Sequence, residues 1–229
     1  MNKTLKDMLV GVILGDAHIK RIGLDKAFIS FEQSKKKLDY LNYLLSLTKK
    51  EGLPLMDEVV REYSREDQRY GITNNSGYFR TKSIEDLKPI AELFLDESGN
   101  KIIPSNIAEH LTPRSLAFWI MDDGQQVKRG GVTLCTDSFK TDEISILREA
   151  LKTNFNLDTS IHMKKSRSES IYERIYIKKD GFEELKPILI PHMHESMLYK
   201  LNEKVAITQD SSDIESETEI MDNLDIGGF

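Results

Sequence analysis

The chain has little of what several protein classes require. Among its 229 residues there is one cysteine, Cys135, which excludes an internal disulfide and points to a reducing compartment. No apolar stretch approaches the ~20 residues of a membrane span, and neither a secretory signal nor an Arg-rich transit peptide opens the sequence. There is no G-x-x-x-x-G-K-[ST] phosphate loop and no Cys–His pairing suited to thiol catalysis. Positive charge is short as well. The 32 Lys and Arg face 38 Asp and Glu, and the net charge of −6 at face value disfavours a nucleic-acid partner.

That shortage is local. From Asp210 onward, DSSDIESETEIMDNLDIGGF carries seven acids (Asp210, Asp213, Glu215, Glu217, Glu219, Asp222, Asp225) and no base. Its composition is that of a disordered acidic tail, with a regulatory or interaction segment as the alternative. The body without it holds 31 acids against 32 bases, a net charge of about +1, so the placement of charge matters more than its sum. With 39% hydrophobic and 31% charged residues, the body has the balance of a globular chain able to bury a core.

Much of the body occurs twice. SIEDLKPIAELF (83–94) matches GFEELKPILIPH (181–192), with Ser83 and Asp180 as candidate N-caps. Upstream of each copy lies an apolar run that ends in a carboxylate: VGVILGDAHI (10–19) with Asp16, and LAFWIMDDGQ (116–125) with Asp122 and Asp123. Each unit reads in one order. A first helix covers 4–16, capped by Thr4, or 113–123, started by Pro113 and Arg114. Strands in KAFISFEQS or GGVTLCTDS follow, and then helices over 37–50 or 141–155 with Leu and Ile at helical spacing. DEVVREYS and QRYGITN, or DTSIHMKKS and YERIYIKK, supply further strands before the ELKPI-type helix. The fold expected is α+β, two pseudo-symmetric α-β-β-α-β-β-α repeats with paired helices at the centre. Residues 1–107 form the first repeat, 108–209 the second and 210–229 the tail, the boundary falling near Ile107–Thr112.

Bases gather on or beside the strands: Lys35, Arg61, Arg65, Arg69, Arg80 and Lys82 in the first repeat, and Lys128, Arg129, Lys164, Lys165, Arg167, Arg174 and Lys178 in the second. Side chains alternate across a strand, so one sheet face is either a solvated polar surface or a basic surface shaped for the major groove of DNA.

The two terminal carboxylates are costly. A helix C-terminus carries roughly half a negative charge, and an acid there is disfavoured by about 0.3–1 kcal/mol. Two such ends brought together make sense around a cation held by oxygen ligands. Gly11 and Gly15, four residues apart, would let the partner helix approach closely.

LVGVILGDA (9–17) and LAFWIMDDG (116–124) resemble the two copies of the signature motif of the LAGLIDADG homing endonucleases. The likeness covers about residues 5–205 and is greatest to the single-chain, two-motif branch, where GDAHI, NKIIPSN, LTPRSLAFWIMDDG and MLYKL have counterparts in similar order. The resemblance implies a site-specific, intron-encoded DNA endonuclease, monomeric, cutting a long non-palindromic double-stranded target with Mg²⁺, for which Mn²⁺ substitutes. It implies Asp16 and Asp123 as metal-binding catalytic acids, with backbone carbonyls of Gly15, Ala17 and Asp122 in the metal's oxygen shell. It places Lys101 and Lys200 where relatives bring basic residues to the site, surface lysines being the alternative reading. Glu32 matches a solvent-positioning residue whose second-half counterpart is either Cys135 or Asp137. The implied location is the mitochondrial matrix if the gene is organellar and the cytoplasm otherwise.

The match has departures. Phe118 and Trp119 replace small and aliphatic motif residues, which predicts an asymmetric helix pair, and the body is less basic than a tight DNA binder's. His18 and the two histidines of PHMHE (191–195) read as turn and surface residues. Two other functions fit the same scaffold: a maturase acting on intron RNA, and a DNA-binding regulator without catalysis. Retention of both aspartates favours cleavage.

Overall fold

The structure, a computed structural model, describes residues 1–68, 71–165 and 169–203. The acidic tail lies outside the described residues. The first half runs α1 (Lys3–Leu14), β1 (His18–Ile22), β2 (Lys26–Ser34), α2 (Leu38–Lys50), β3 (Arg61–Asp67), β4 (Ile72–Arg80) and α3 (Lys88–Phe94). The second runs α4 (Pro113–Asp123), β5 (Gly124–Gln126), β6 (Val132–Leu134), α5 (Thr141–Phe155), β7 (Thr159–Lys165), β8 (Ile171–Ile177) and α6 (Lys179–Leu189). The expected order therefore appears twice. Each half builds an antiparallel four-stranded sheet, β1-β2-β4-β3 and β5-β6-β8-β7, with the same strand order.

Alternation along β2 shows how each sheet divides its faces. Ala27, Ile29, Phe31 and Gln33 point inward, and Phe31 stacks on Phe79 of β4 at 4.5 Å between centroids. Tyr40, Leu41, Leu44 and Leu45 of α2 form the buried stripe of that helix. In the second half Val132, Leu134, Ile175 and Ile177 meet Ile144, Leu147 and Leu151 of α5 in the same way. Each such side chain contributes roughly 1.5–3 kcal/mol when fully buried. The open face of the first sheet mixes charged with aromatic side chains, Glu32 and Arg61 beside Phe28 and Tyr78.

Local boundaries depart from expectation where caps or glycines intervene. Asn2, not Thr4, caps α1: its extended backbone lets Oδ1 accept the N–H of Leu5 at 2.8 Å. Neither Ser83 nor Asp180 caps the ELKPI-type helices, whose N-caps are Leu87 and Lys178. Pro89 falls in the first turn of α3, where a missing N–H costs nothing, whereas Pro187 lies inside α6. β6 has three residues because Gly130 and Gly131 turn the chain at φ +97° and +76° just before it. The connector between the halves is fastened to α5: Ile103 N–H donates to Glu143 Oε1 at 2.9 Å, and Asn154 Nδ2 to the carbonyls of Ala108 (2.6 Å) and Leu111 (2.8 Å).

The centre of the molecule is the pair α1 and α4. A Cβ placed on Gly11 would lie 2.3 Å from the Ser115 carbonyl oxygen and 2.6 Å from Phe118 Cβ; one on Gly15 would lie 2.4 Å from Asp122 Cβ. Gly11 is thus required by the backbone of α4 and Gly15 by the Asp122 side chain. The asymmetry expected from Phe118 is present: its Cβ packs against Gly11, and its fully buried ring stacks near Tyr43 at 6.5 Å between centroids. Gly11→Ala is expected to cost about 1–3 kcal/mol by overpacking. A urea unfolding curve compared with that of wild type measures it.

Candidate active site

Close packing at Gly15 brings two helix ends together. α1 ends at Leu14: Gly15 N–H bonds to Gly11 O at 3.1 Å and Ala17 N–H reaches back to Val12 O at 2.8 Å, so Asp16 stands on the unwinding turn. α4 runs to Asp123 and is stopped by Gly124. Asp16 keeps 41% of its side chain exposed, Asp123 is half-buried, and Asp122 is buried at 5%.

Three carboxylates in so small a volume repel each other's charge. Burial, then the charge of Asp16, pushes Asp123 up to about 7. Asp122 is held well above the ordinary carboxylate range, first by burial and then by Asp16 and Asp123. Tyr40, buried beside them, is likewise raised, first by burial and then by the nearby Asp122 carboxylate.

Three ammonium groups answer the carboxylates. Lys101 Nζ donates to Gly15 O at 3.1 Å, and Lys200 Nζ to Asp122 O at 2.9 Å and to Met121 O. Gly15 and Asp122 occupy the same position in the two motifs, so the two lysines are related by the pseudo-twofold axis. Lys37 adds a third, 3.3 Å from Asp122 O and 3.9 Å from Asp16 Oδ2. All three draw on orphan carbonyls at helix C-termini, where positive charge is favourable. Burial lowers Lys101, and burial with Lys37's charge lowers Lys200 to about 8.

The donor set is oxygen only, carboxylates and helix-end carbonyls, and therefore suits a hard divalent cation. Among the described residues no three carboxylate, imidazole or thiol groups form a cage by themselves. Such a site suits an ion that keeps waters and shares substrate phosphate oxygens, as Mg²⁺ does. A cavity of about 320 Å³ opens beside Asp123, lined by Lys37, Cys135, Tyr199 and Lys200.

The other expected residues divide. Glu32 points to the open face of the first sheet and accepts from the Tyr63 hydroxyl. The β2 residue that reaches Asp16 is its neighbour Gln33, whose Nε2 donates to Asp16 Oδ2 (2.8 Å) and Asp122 Oδ1 (3.2 Å). Phe31 pairs with Phe79 as Leu134 pairs with Ile175, so Cys135 is the positional counterpart of Glu32, and Thr136 of Gln33. Asp137 is instead ion-paired with Arg174.

Register places Arg61, Arg65 and Arg80 on the open face with Glu32, and Lys164 and Arg174 on that of the second sheet. Lys82, Lys128, Arg129 and Lys178 are exposed just outside strands. Lys35 and Lys165 are engaged elsewhere, by Glu62 and Glu169 at 3.1 Å each, and Arg61 by Asp57. Arg69 and Arg167 lie outside the described residues.

Gln33, Lys37 and the Asp122 side chain were not among the expected site groups. Gln33 carried a legible signal, a polar residue on the buried parity of an apolar strand. Lys37 was hidden in a KKK run.

Two symmetric sheets flanking a helix pair with terminal carboxylates define a LAGLIDADG fold. The chain belongs to the LAGLIDADG DNA endonuclease family, whose profile matches residues 6–185. The structure superposes on the homing endonuclease I-WcaI bound to its DNA recognition sequence with a TM-score of 0.76 and 26% identity, covering 87% of this chain and 86% of that one. A probable intron-encoded endonuclease 1 of Wickerhamomyces canadensis is 27% identical over 210 residues, 88% of this chain and 85% of the relative. Cytochrome b mRNA maturase bI2 of Saccharomyces cerevisiae is 30% identical over 218 residues, of which the match spans 88% of this chain and 48% of the maturase.

Asp123 sets a pH dependence. Its folded pKa of about 7 lies above the ordinary 3.8, so the folded state binds the proton more tightly than the unfolded chain. Stability therefore falls as pH rises from 4 to 7, with the largest penalty above 7. In EDTA, Asp123→Asn is expected to flatten this slope and raise the melting temperature at pH 8, measured by thermal scans across pH.

Proposed function

We propose that this protein is a site-specific, intron-homing DNA endonuclease that makes metal-dependent double-strand breaks. The observation that carries the reading is the convergence of Asp16 and Asp123 at two crossing helix ends between duplicated sheets. The DNA-bound relative supports a double-stranded target, each sheet lying along one half-site with Arg65, Arg80 and Lys164 toward the duplex. The halves differ in sequence, so the target is long and non-palindromic, and one chain binds it as a monomer.

Asp16 and Asp123 would hold the ion, Mg²⁺ or Mn²⁺, with carbonyls of Gly15, Ala17 and Asp122 in reach. When bound, the ion supplies Lewis acidity at the scissile phosphodiester. Gln33 fixes the Asp16 carboxylate through its 2.8 Å hydrogen bond and, in place of Glu32, is the polar group able to orient water there. Lys101 and Lys200 hold positive charge beside the developing phosphorane. Water attacks phosphorus, the P–O3′ bond breaks, and 3′-hydroxyl and 5′-phosphate ends remain. The protein would act where its host intron resides, the mitochondrial matrix for an organellar gene. Among the described residues no helix is long and apolar enough to cross a membrane.

The likeness to a cytochrome b mRNA maturase favours a second reading, assistance to splicing of intron RNA, alone or beside cleavage.

Cleavage of the intron-free host locus in Mg²⁺ tests the proposal. EDTA, Asp16→Asn or Asp123→Asn is expected to reduce double-strand cutting by on the order of a thousandfold, since several kcal/mol of charge stabilisation are removed. Intron RNA bound without any cutting would move the assignment to the maturase. On the sheet face, Arg65→Ala should weaken DNA binding and reduce the salt slope by about one, read by titrations at several salt concentrations.

A further inference from the structure

We propose that Asp122, a residue of the second half, is a positioning residue for Asp16 of the first, and that the two strand cleavages depend on it unequally. The inference rests on the endonuclease reading above and concerns how its two cutting centres differ.

Asp122 sits at the motif position equivalent to Gly15, and the two face each other where α1 and α4 touch. Its buried carboxylate closes a ring around Asp16. Oδ2 accepts the backbone N–H of Asp16 at 3.2 Å, and Oδ1 accepts Gln33 Nε2 at 3.2 Å. The same Nε2 donates to Asp16 Oδ2 at 2.8 Å. Backbone and side chain of Asp16 are therefore both tied to one carboxylate from across the helix pair. An alanine or glycine there would fill the packing position without making either bond.

Among the described residues no reciprocal side-chain hydrogen bond reaches the Asp123 carboxylate. Gly15 has no side chain with which to cap the end of α4. Thr136, the counterpart of Gln33, spends its hydroxyl on Glu173 O at 2.6 Å, inside its own sheet. Lys140, the counterpart of Lys37, uses its backbone N–H to cap α5 through Glu143 Oε2 at 2.8 Å and is exposed. The pseudo-twofold axis that relates the lysines 101 and 200 does not relate these supports. The side chain of one aspartate is braced by hydrogen bonds from both halves; the other has a backbone bond from Cys135 N–H to its carbonyl at 3.0 Å and the charges of nearby lysines, with no side-chain hydrogen bond among the described residues.

The test uses the whole chain and a supercoiled plasmid bearing its cleavage site, each strand end-labelled, in Mg²⁺. Asp122→Ala is expected to slow one strand by on the order of 10–100-fold, the cost of a misplaced catalytic group. The other strand should stay within about threefold, so nicked circles accumulate. Asp122→Asn should fall between, because its amide oxygen still accepts the Asp16 N–H. Gln33→Ala should slow the same strand, and the double variant should be little worse than either single one, because the residues act through one ring. DNA binding in Ca²⁺ and the melting temperature in EDTA serve as the structural readouts. Equal slowing of both strands, no change in either, or a Gln33→Ala effect on the opposite strand would overturn the assignment. A wild-type chain that cuts neither strand of any target would remove the endonuclease reading and this one with it.

Discussion

Everything at the centre of this molecule depends on how closely two helix backbones can approach. Gly11 and Gly15 leave no room for a Cβ, and that absence brings the C-terminal ends of α1 and α4 to the same place. Two sets of unsatisfied carbonyls and three carboxylates then share one volume, a negative concentration that neither half would tolerate alone. The hydrophobic core around the helix pair, with Trp119, Phe118, Leu9 and Ile13 fully buried, supplies the energy that holds it there.

The charge is met in stages. Lys101, Lys200 and Lys37 arrive from three separate segments and bond to helix-end carbonyls. The carboxylates themselves are only partly neutralised, as the raised pKa values of Asp122 and Asp123 record. In the function proposed above, a cation held by the acids together with a phosphate beside the ammoniums would restore balance. Such a site is poised for a substrate that brings both charges at once. The open sheet faces act on a different scale: two of their bases, Arg61 and Arg174, are already paired with Asp57 and Asp137, which lowers the net positive charge these faces present.

The fold was legible in the sequence because duplication repeats each signal. The helix over 141–155 and the strand KAFISFEQS appear at the residues expected, and both carboxylate-ended helices converge as the glycine spacing required. Caps were harder, since Thr4 and Asn2 are both N-cap residue types two positions apart, and the chain begins its helix at the stronger one, Asn2. Within the site, Lys101 and Lys200 were legible through motifs, whereas Gln33 and Lys37 depend on strand register. A shift of one residue exchanges the two faces of a strand, which is how Glu32 and Gln33 trade places.

The contact of Gly11 with Phe118 ties the two motifs to each other. These are equivalent positions, one without a side chain and the other carrying a buried ring. Set against its own copy, the second motif would bring Phe118 to Phe118 and Asp122 to Asp122, where the structure now has a glycine opposite each. The two halves are thus complementary rather than interchangeable, and the sequence difference between them is part of what packs the centre.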